Sequence, residues 1–183
     1  MESKKDIRKS VLEIRNRITD KKWAEKSRLI YEKVVTHPFF LEADAIYCYV
    51  DYRREVGTRD IIEHAWKLSK KVATPKVNGD EMNFYYIQSF EDLQEGFKGI
   101  LEPKQTYPAN DENVLVIMPG AVFDKKCNRI GYGKGYYDKY LHAHPHYKTI
   151  AIAFELQMVD KIPAEAYDIC PNMIITEENT YEQ

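Results

Sequence analysis

Residues Val114–Met118 read VLVIM, five apolar side chains in a row closed by Pro119-Gly120. A strand that alternates polar and apolar residues can leave one face in water. A strand with no polar side chain must be covered on both faces, as in the middle of a parallel sheet. The chain offers it neighbours. Ala45–Val50 (AIYCYV) is a short apolar and aromatic run of strand composition. Lys71–Thr74 reads as a strand that Pro75 halts, Asn78-Gly79-Asp80 as a turn, and Met82–Gln88 as an alternating strand. Thr149–Phe154 and Met173–Thr176 complete the set. Helical patterns lie between them: Arg59–Ser69 carries Ile61, Ile62, Ala65, Trp66 and Leu68, and Tyr136–His142 is another. Strands alternating with helices predict an α/β fold around a mainly parallel sheet covered on both faces.

Two helices are expected ahead of the sheet. Ile7, Val11, Ile14 and Ile18 recur at helical spacing and form one apolar stripe. Lys4, Arg8 and Arg15 lie on a neighbouring face, Lys4 and Arg8 one turn apart. Thr19-Asp20 caps a second helix that reaches about Thr36, with Trp23, Leu29, Ile30 and Val34 inside; His37-Pro38 stops it. Residues 96–113, punctuated by Gly96, Gly99, Pro103 and Pro108, are the most loop-like stretch. No repeat or linker interrupts the 183 residues, which are read as one domain, 1–183.

Composition narrows the function classes. With 44% hydrophobic and 31% charged residues the chain has the balance of a soluble globular protein. Its longest apolar runs fall far short of the roughly 20 residues that a membrane helix needs. Met1–Ser10 is charged with no apolar core behind it, so no secretory leader is expected. Cys48, Cys127 and Cys170 lie far apart, which excludes a zinc ribbon or a thioredoxin-type pair and suits a reducing cytoplasm. A net charge of −2 argues against a nucleic-acid partner. The charge is uneven, however: residues 1–28 hold ten Lys/Arg against five Asp/Glu, and residues 160–183 hold one against six. The basic N-terminus is either a localised anion site or a solvated helix face.

The segment Met118–Leu141 (MPGAVFDKKCNRIGYGKGYYDKYL) carries the most chemistry. A buried strand ends at Pro119-Gly120, a loop follows with Gly131, Gly133 and Gly135, and a helix begins near Tyr136. Ligands of parallel α/β sheets bind beyond the carboxyl ends of the strands. Alternate glycines let main-chain N–H groups approach an anion, and the following helix N-terminus adds partial positive charge. That dipole is worth only about 0.3–1 kcal/mol when exposed, so the flanking Arg129 and Lys134 matter more. The loop matches neither the P-loop, because Gly135 follows Lys134, nor the dinucleotide fingerprint, because its glycines recur every second residue. Asp138, in the first helical turn, either complements the dipole or holds Mg²⁺ beside a phosphate; Asp168 is either a second such carboxylate or a loop residue.

Glu55 follows the first strand in YVDYRREVGT, where an acid can meet ring nitrogens of a ligand or pair with Arg53 or Arg54. Phe84, Tyr85 and Tyr86 can stack a flat ring or pack the core. His142, His144 and His146 alternate around Pro145, which breaks the helix needed to align them on a metal. No nucleophile–base arrangement is visible, so the polar equipment points to phosphate handling rather than acyl-enzyme chemistry.

These residues resemble the 5-formyltetrahydrofolate cyclo-ligase family. Its signature is matched by Pro119-Gly120-Ala121-Val122-Phe123-Asp124 and then Asn128-Arg129-Ile130-Gly131-Tyr132-Gly133-Lys134-Gly135-Tyr136-Tyr137-Asp138. Lys4 and Arg8, Glu55 and Thr58, Glu102-Pro103, Pro163…Tyr167-Asp168 and Ile174–Thr176 follow the family's order. Ile130 stands where leucine is usual, and Tyr167 where a histidine or other polar residue is common. The resemblance implies a three-layer α/β/α sandwich with the N-terminal helix pair alongside. It implies ATP- and Mg²⁺-dependent conversion of 5-formyltetrahydrofolate to 5,10-methenyltetrahydrofolate in the cytoplasm, by a monomer. It places ATP on Lys4, Lys5, Asp6, Ile7 and Arg8 and on Arg129, Ile130, Gly131, Tyr132, Gly133, Lys134, Gly135, Tyr136 and Tyr137. It places the folate on Val50, Glu55, Tyr132, Gly133, Lys134, Gly135 and Tyr136, and Mg²⁺ on Asp138 and Asp168. Lys134, Arg129 and Glu55 are the expected catalytic groups. Taken alone, the residues also leave open an isomerase or transferase acting on a sugar phosphate or CoA ester, and a folate- or nucleotide-binding protein without catalysis.

Overall fold

The computed structural model describes residues 3–163 and 165–183. Its centre is a seven-stranded sheet built from β1 (Ala45–Cys48), β2 (Lys71–Asn78), β3 (Glu81–Ile87), β6 (Val114–Met118), β9 (Lys148–Ile152), β11 (Met173–Ile175) and β12 (Thr180–Glu182). Two smaller sheets use β4 (Leu93–Glu95) with β5 (Leu101–Pro103), and β7 (Val122–Asp124) with β8 (Arg129–Ile130) and β10 (Met158–Val159). The helices are α1 (Lys4–Arg15), α2 (Asp20–Val35), α3 (Pro38–Glu42), α4 (Arg59–Lys67) and α5 (Tyr136–Ala143).

The main sheet runs β12-β11-β9-β6-β1-β2-β3, parallel throughout except at its two edge strands. All five residues of β6 are buried, as an unbroken apolar run requires. In β1 the two-residue period divides the side chains: Ile46 and Cys48 enter one core, Ala45 and Tyr47 the other. On the first face α2 and α4 bring Ile30, Val34, Ile61, Ile62 and Ala65 onto Leu115, Ile117, Ile150 and Ile152. On the second face α5 lays Tyr140 and Leu141 over Val116, Met118 and Ala151. Each such aliphatic side chain contributes about 1.5–3 kcal/mol when fully buried.

The N-terminal pair divides its work. α2 is one of the two helices covering the first face. α1 instead seals a third, small core in which Val11 meets Ala121, Val122, Ile130 and Ile162. Its apolar stripe is not as expected: Ile14 is half exposed, while Val11 and Arg15 are buried. The inward side of α1 carries cations because it faces a polar loop. β2 also runs through Pro75 to Asn78 rather than stopping there. Its pairing with β1 ends at Ala73, so beyond that point it has one strand neighbour and a residue lacking an N–H is tolerated. The 96–113 loop contains β5, and β7 and β8 lie within the segment read as loop; strands of two or three residues are too short for periodicity to reveal.

This topology positions a site. From β1 the chain moves to β2 and β3 on one side, then crosses to β6 on the other. The strand order therefore reverses between β1 and β6, whose carboxyl ends point the same way. The loops after those two strands border the crevice where ligands of open α/β sheets bind.

Candidate active site

One wall is the glycine loop. Gly133 and Gly135 have φ of +99° and +65°, the left-handed region that favours glycine, and Gly135 caps the start of α5. Successive N–H groups in such a conformation form an anion-binding concavity. The support beneath it is the β7–β8 hairpin. Buried Asp124 accepts hydrogen bonds from the main-chain N–H groups of Lys126, Asn128 and Ile162 and from the Asn128 amide, tying hairpin and downstream chain together.

The cations come from two directions. Arg129 on β8 is buried; its Nη2 donates to both Asp138 oxygens at 3.1 Å. From α1, Lys4 reaches Asp168 at 2.6 Å and Glu165 at 3.3 Å, and Arg8 Nη1 donates to the Gly131 carbonyl at 3.4 Å. Burial works against the Lys4 ammonium, but hydrogen bonds and charge from Asp168 and Glu165 outweigh it and raise its pKa. Lys134 projects from the loop into solvent.

The opposite wall is the loop after β1. Asp51 accepts from the Thr58 N–H and hydroxyl, and the Thr58 hydroxyl accepts from the Asp51 N–H. Trp23 on α2 donates to the Glu55 carbonyl at 2.6 Å. These contacts hold the Glu55 carboxyl inward, where its Oε2 accepts from the Tyr52 N–H. Burial raises the Glu55 pKa; the Tyr132 hydroxyl, the Tyr52 N–H and the Arg15 charge pull it partly back. Arg15 Nη1 donates to the Tyr132 hydroxyl at 2.8 Å, so a residue of α1 joins the glycine loop to Glu55.

Lys4, Arg8, Arg129 and Glu55 thus meet in one region. Val50 is half-buried just past β1. Lys5 is exposed, the Asp6 N–H is capped by Ser3, and Ile7 packs on the small core. Ile130 is buried in that core as well. Tyr136 donates to the Gly79 carbonyl at 3.3 Å, and Tyr137 turns its ring onto Phe84. The N–H of Ile169, the residue after Asp168, donates to Asp138 at 2.9 Å. Each is neutralised by a cation of the chain, and no group of three His, Cys, Asp or Glu side chains suited to a metal occurs among the described residues. Carboxylates such as these are the ligand type of Mg²⁺, which takes one or two of them and completes its shell with phosphate oxygens and water.

Arg15 was not among the expected site residues; its signal was its place two turns after Arg8, on the Lys4–Arg8 face. Among the described residues five buried polar atoms have no partner, and three of them, Arg15 Nε, Arg129 Nε and the Tyr137 hydroxyl, belong to this region. Buried polar groups are nearly always satisfied, so these three atoms are open to a water or a ligand. A separate cavity of about 780 Å³ is lined by Trp66, Lys70, Lys71, Tyr86, Lys104 and Tyr107. Its lysines already donate within the protein, Lys70 to the carbonyls of Leu41 and Ala43, Lys71 to Asp111 and Lys104 to the Glu91 carbonyl.

Sequence comparison matches residues 1–177 to the 5-formyltetrahydrofolate cyclo-ligase family. The chain is 28% identical to 5-formyltetrahydrofolate cyclo-ligase of Escherichia coli K12, across 92% of this chain and 97% of that one. It is 25% identical to the probable 5-formyltetrahydrofolate cyclo-ligase of Caenorhabditis elegans, across 98% and 95%. The NMR structure of Aquifex aeolicus 5,10-methenyltetrahydrofolate synthetase superposes with a TM-score of 0.85 at 29% identity, covering 98% of this chain and 92% of the other.

Proposed function

The chain belongs to the 5-formyltetrahydrofolate cyclo-ligase family, and from that premise we propose how its residues carry out the ATP-dependent conversion of 5-formyltetrahydrofolate to 5,10-methenyltetrahydrofolate. The formyl group on nitrogen 5 is an amide, so resonance quiets its carbon and its oxygen leaves poorly. Nitrogen 10 is an aniline-type nitrogen and a weak nucleophile. The formyl oxygen therefore attacks the γ-phosphorus of ATP, and ADP departs as the new O–P bond forms. Nitrogen 10 then attacks the activated carbon and loses its proton. Phosphate leaves with the former formyl oxygen, and the cationic methenyl bridge remains.

The protein's part is positioning and charge stabilisation. The loop 131–135 receives the phosphates on its main-chain N–H groups, with Lys134, Arg129, Arg8 and Lys4 as the surrounding cations. Glu55, on the facing loop, holds the folate. Asp138 and Asp168 would hold Mg²⁺, which when bound neutralises triphosphate charge. The observation that carries this reading is the convergence of α1, the glycine loop and the Glu55 loop at the β1/β6 crevice, with unpartnered buried donors among them. Mixing the protein with ATP, Mg²⁺ and 5-formyltetrahydrofolate should produce the methenyl chromophore with ADP in equal amount. Binding of both ligands without the chromophore would reduce the chain to a non-catalytic binder.

A further inference from the structure

The loop 131–135 has three glycines and only two side chains, Tyr132 and Lys134. Lys134 faces solvent, so little can pin the loop. Arg8 touches it with a long 3.4 Å contact to the Gly131 carbonyl. The firmer contact is the 2.8 Å hydrogen bond from Arg15 to the Tyr132 hydroxyl, with the guanidinium carbon 5.8 Å from the ring centre. Tyr132 leaves 46% of its surface exposed, but its hydroxyl end points inward, 2.8 Å from Arg15 Nη1, 3.5 Å from the Gly120 carbonyl and facing the Glu55 carboxyl. Arg15 itself is 4% exposed and its Nε is buried without a partner. Removing a guanidinium from water is costly unless it has specific work at that place.

We infer that Arg15 is a positioning residue that, through the Tyr132 phenol, clamps the tip of the glycine loop over Glu55 and so fixes the spacing between the phosphate and folate halves of the site. The clamp accounts for how a glycine-rich segment is ordered before ligand arrives, when its own backbone entropy favours disorder. The catalytic part of the inference rests on the proposed function; the structural part does not.

Two measurements test it. In the ligand-free protein, hydrogen exchange of the amides in residues 131–135 should speed up about tenfold in Arg15→Met and in Tyr132→Phe, the loss of one charge-assisted hydrogen bond. The double variant should exchange no faster than Tyr132→Phe, because once the hydroxyl is gone Arg15 has no contact with the loop left to lose. Arg15→Lys, which keeps a donor, should recover part of the protection. In turnover, kcat/KM for the folate should fall about tenfold in both single variants and its acid limb should move to higher pH. The groups facing Glu55 are Tyr132, Arg15, Asp51, Tyr49 and Tyr137 with the Tyr52 N–H; Tyr132, the Tyr52 N–H and Arg15 lower its pKa, and the two variants leave the Tyr52 N–H in place. Unchanged loop exchange in both single variants, or losses that add in the double variant, would overturn the clamp. Tyr132→Phe keeps the test decisive if Arg15→Met fails to fold. A wild-type protein that makes no methenyl product defeats the proposed function, while loop exchange still decides the clamp.

Discussion

Lys134 and Asp138 lie four residues apart, one before and one inside the start of α5, and their surroundings differ. Lys134 is exposed at the end of the loop, so Lys134→Ala should leave the melting temperature unchanged and reduce kcat roughly 100-fold, the scale for losing one preorganised charge contact. Full ATP-dependent turnover by that variant would remove Lys134 from the chemistry. Asp138 is engaged with buried Arg129 and with the Ile169 N–H. Asp138→Asn should lower stability by about 1–3 kcal/mol, less than for a fully buried pair because Asp138 keeps some solvent contact. It should also raise the Mg²⁺ concentration needed for half-maximal rate. A magnesium titration superimposable on wild type would limit Asp138 to holding Arg129. The sequence offered both readings of Asp138, dipole complement and metal ligand; neither named Arg129 as its partner. That pairing depends on where β8 and α5 end up, nine residues apart along the chain but joined across a turn of unusual backbone.

Elements determine which of these residues meet. α1 was legible as a helix, but its apolar stripe misjudged the inward face, because periodicity reports what can be buried and not what lies opposite. Opposite it are a carbonyl and a phenol, so Arg8 is half-buried and Arg15 buried there. Gly133→Ala tests this contact. At φ +99° an added Cβ is strained and would come within 3.3 Å of Arg8 Nη1. The variant should lose about 1–2 kcal/mol of stability and raise the KM for ATP while leaving the folate KM closer to wild type. Equal effects on both would show that the loop moves as a whole. The β7–β8 hairpin was invisible in the sequence, since two and three residues carry no period. Asp124, conspicuous in the motif, holds that hairpin: Asp124→Ala would orphan three main-chain N–H groups and should cost about 3 kcal/mol in denaturant unfolding.

At the scale of the whole molecule, the reversal of strand order between β1 and β6 turns two distant loops into one site and leaves the Glu55 carboxyl half-buried there. Burial raises the Glu55 pKa, so between the ordinary carboxylate range and that raised value the folded state holds its proton more tightly than the unfolded one. Stability from this group is present at low pH and falls as pH rises through that window. Glu55→Gln should therefore melt above wild type at about pH 7.5, the difference shrinking below about pH 4, while kcat/KM for the folate drops sharply. A variant that melts lower at neutral pH would assign Glu55 a stabilising role instead. The sequence by itself determined the alternation of buried strands and helices, the glycine loop and its motif, because these rest on local periodicity and on backbone freedom at single residues. Only the tertiary structure decided that α1 turns its cations inward, that Arg15 reaches Tyr132, and that Glu55 faces the loop. Those contacts join residues far apart along the chain, Arg8 with Gly131, Arg15 with Tyr132 and Glu55 with Tyr132, and proximity of that kind arises from sheet order and packing, which no local pattern encodes.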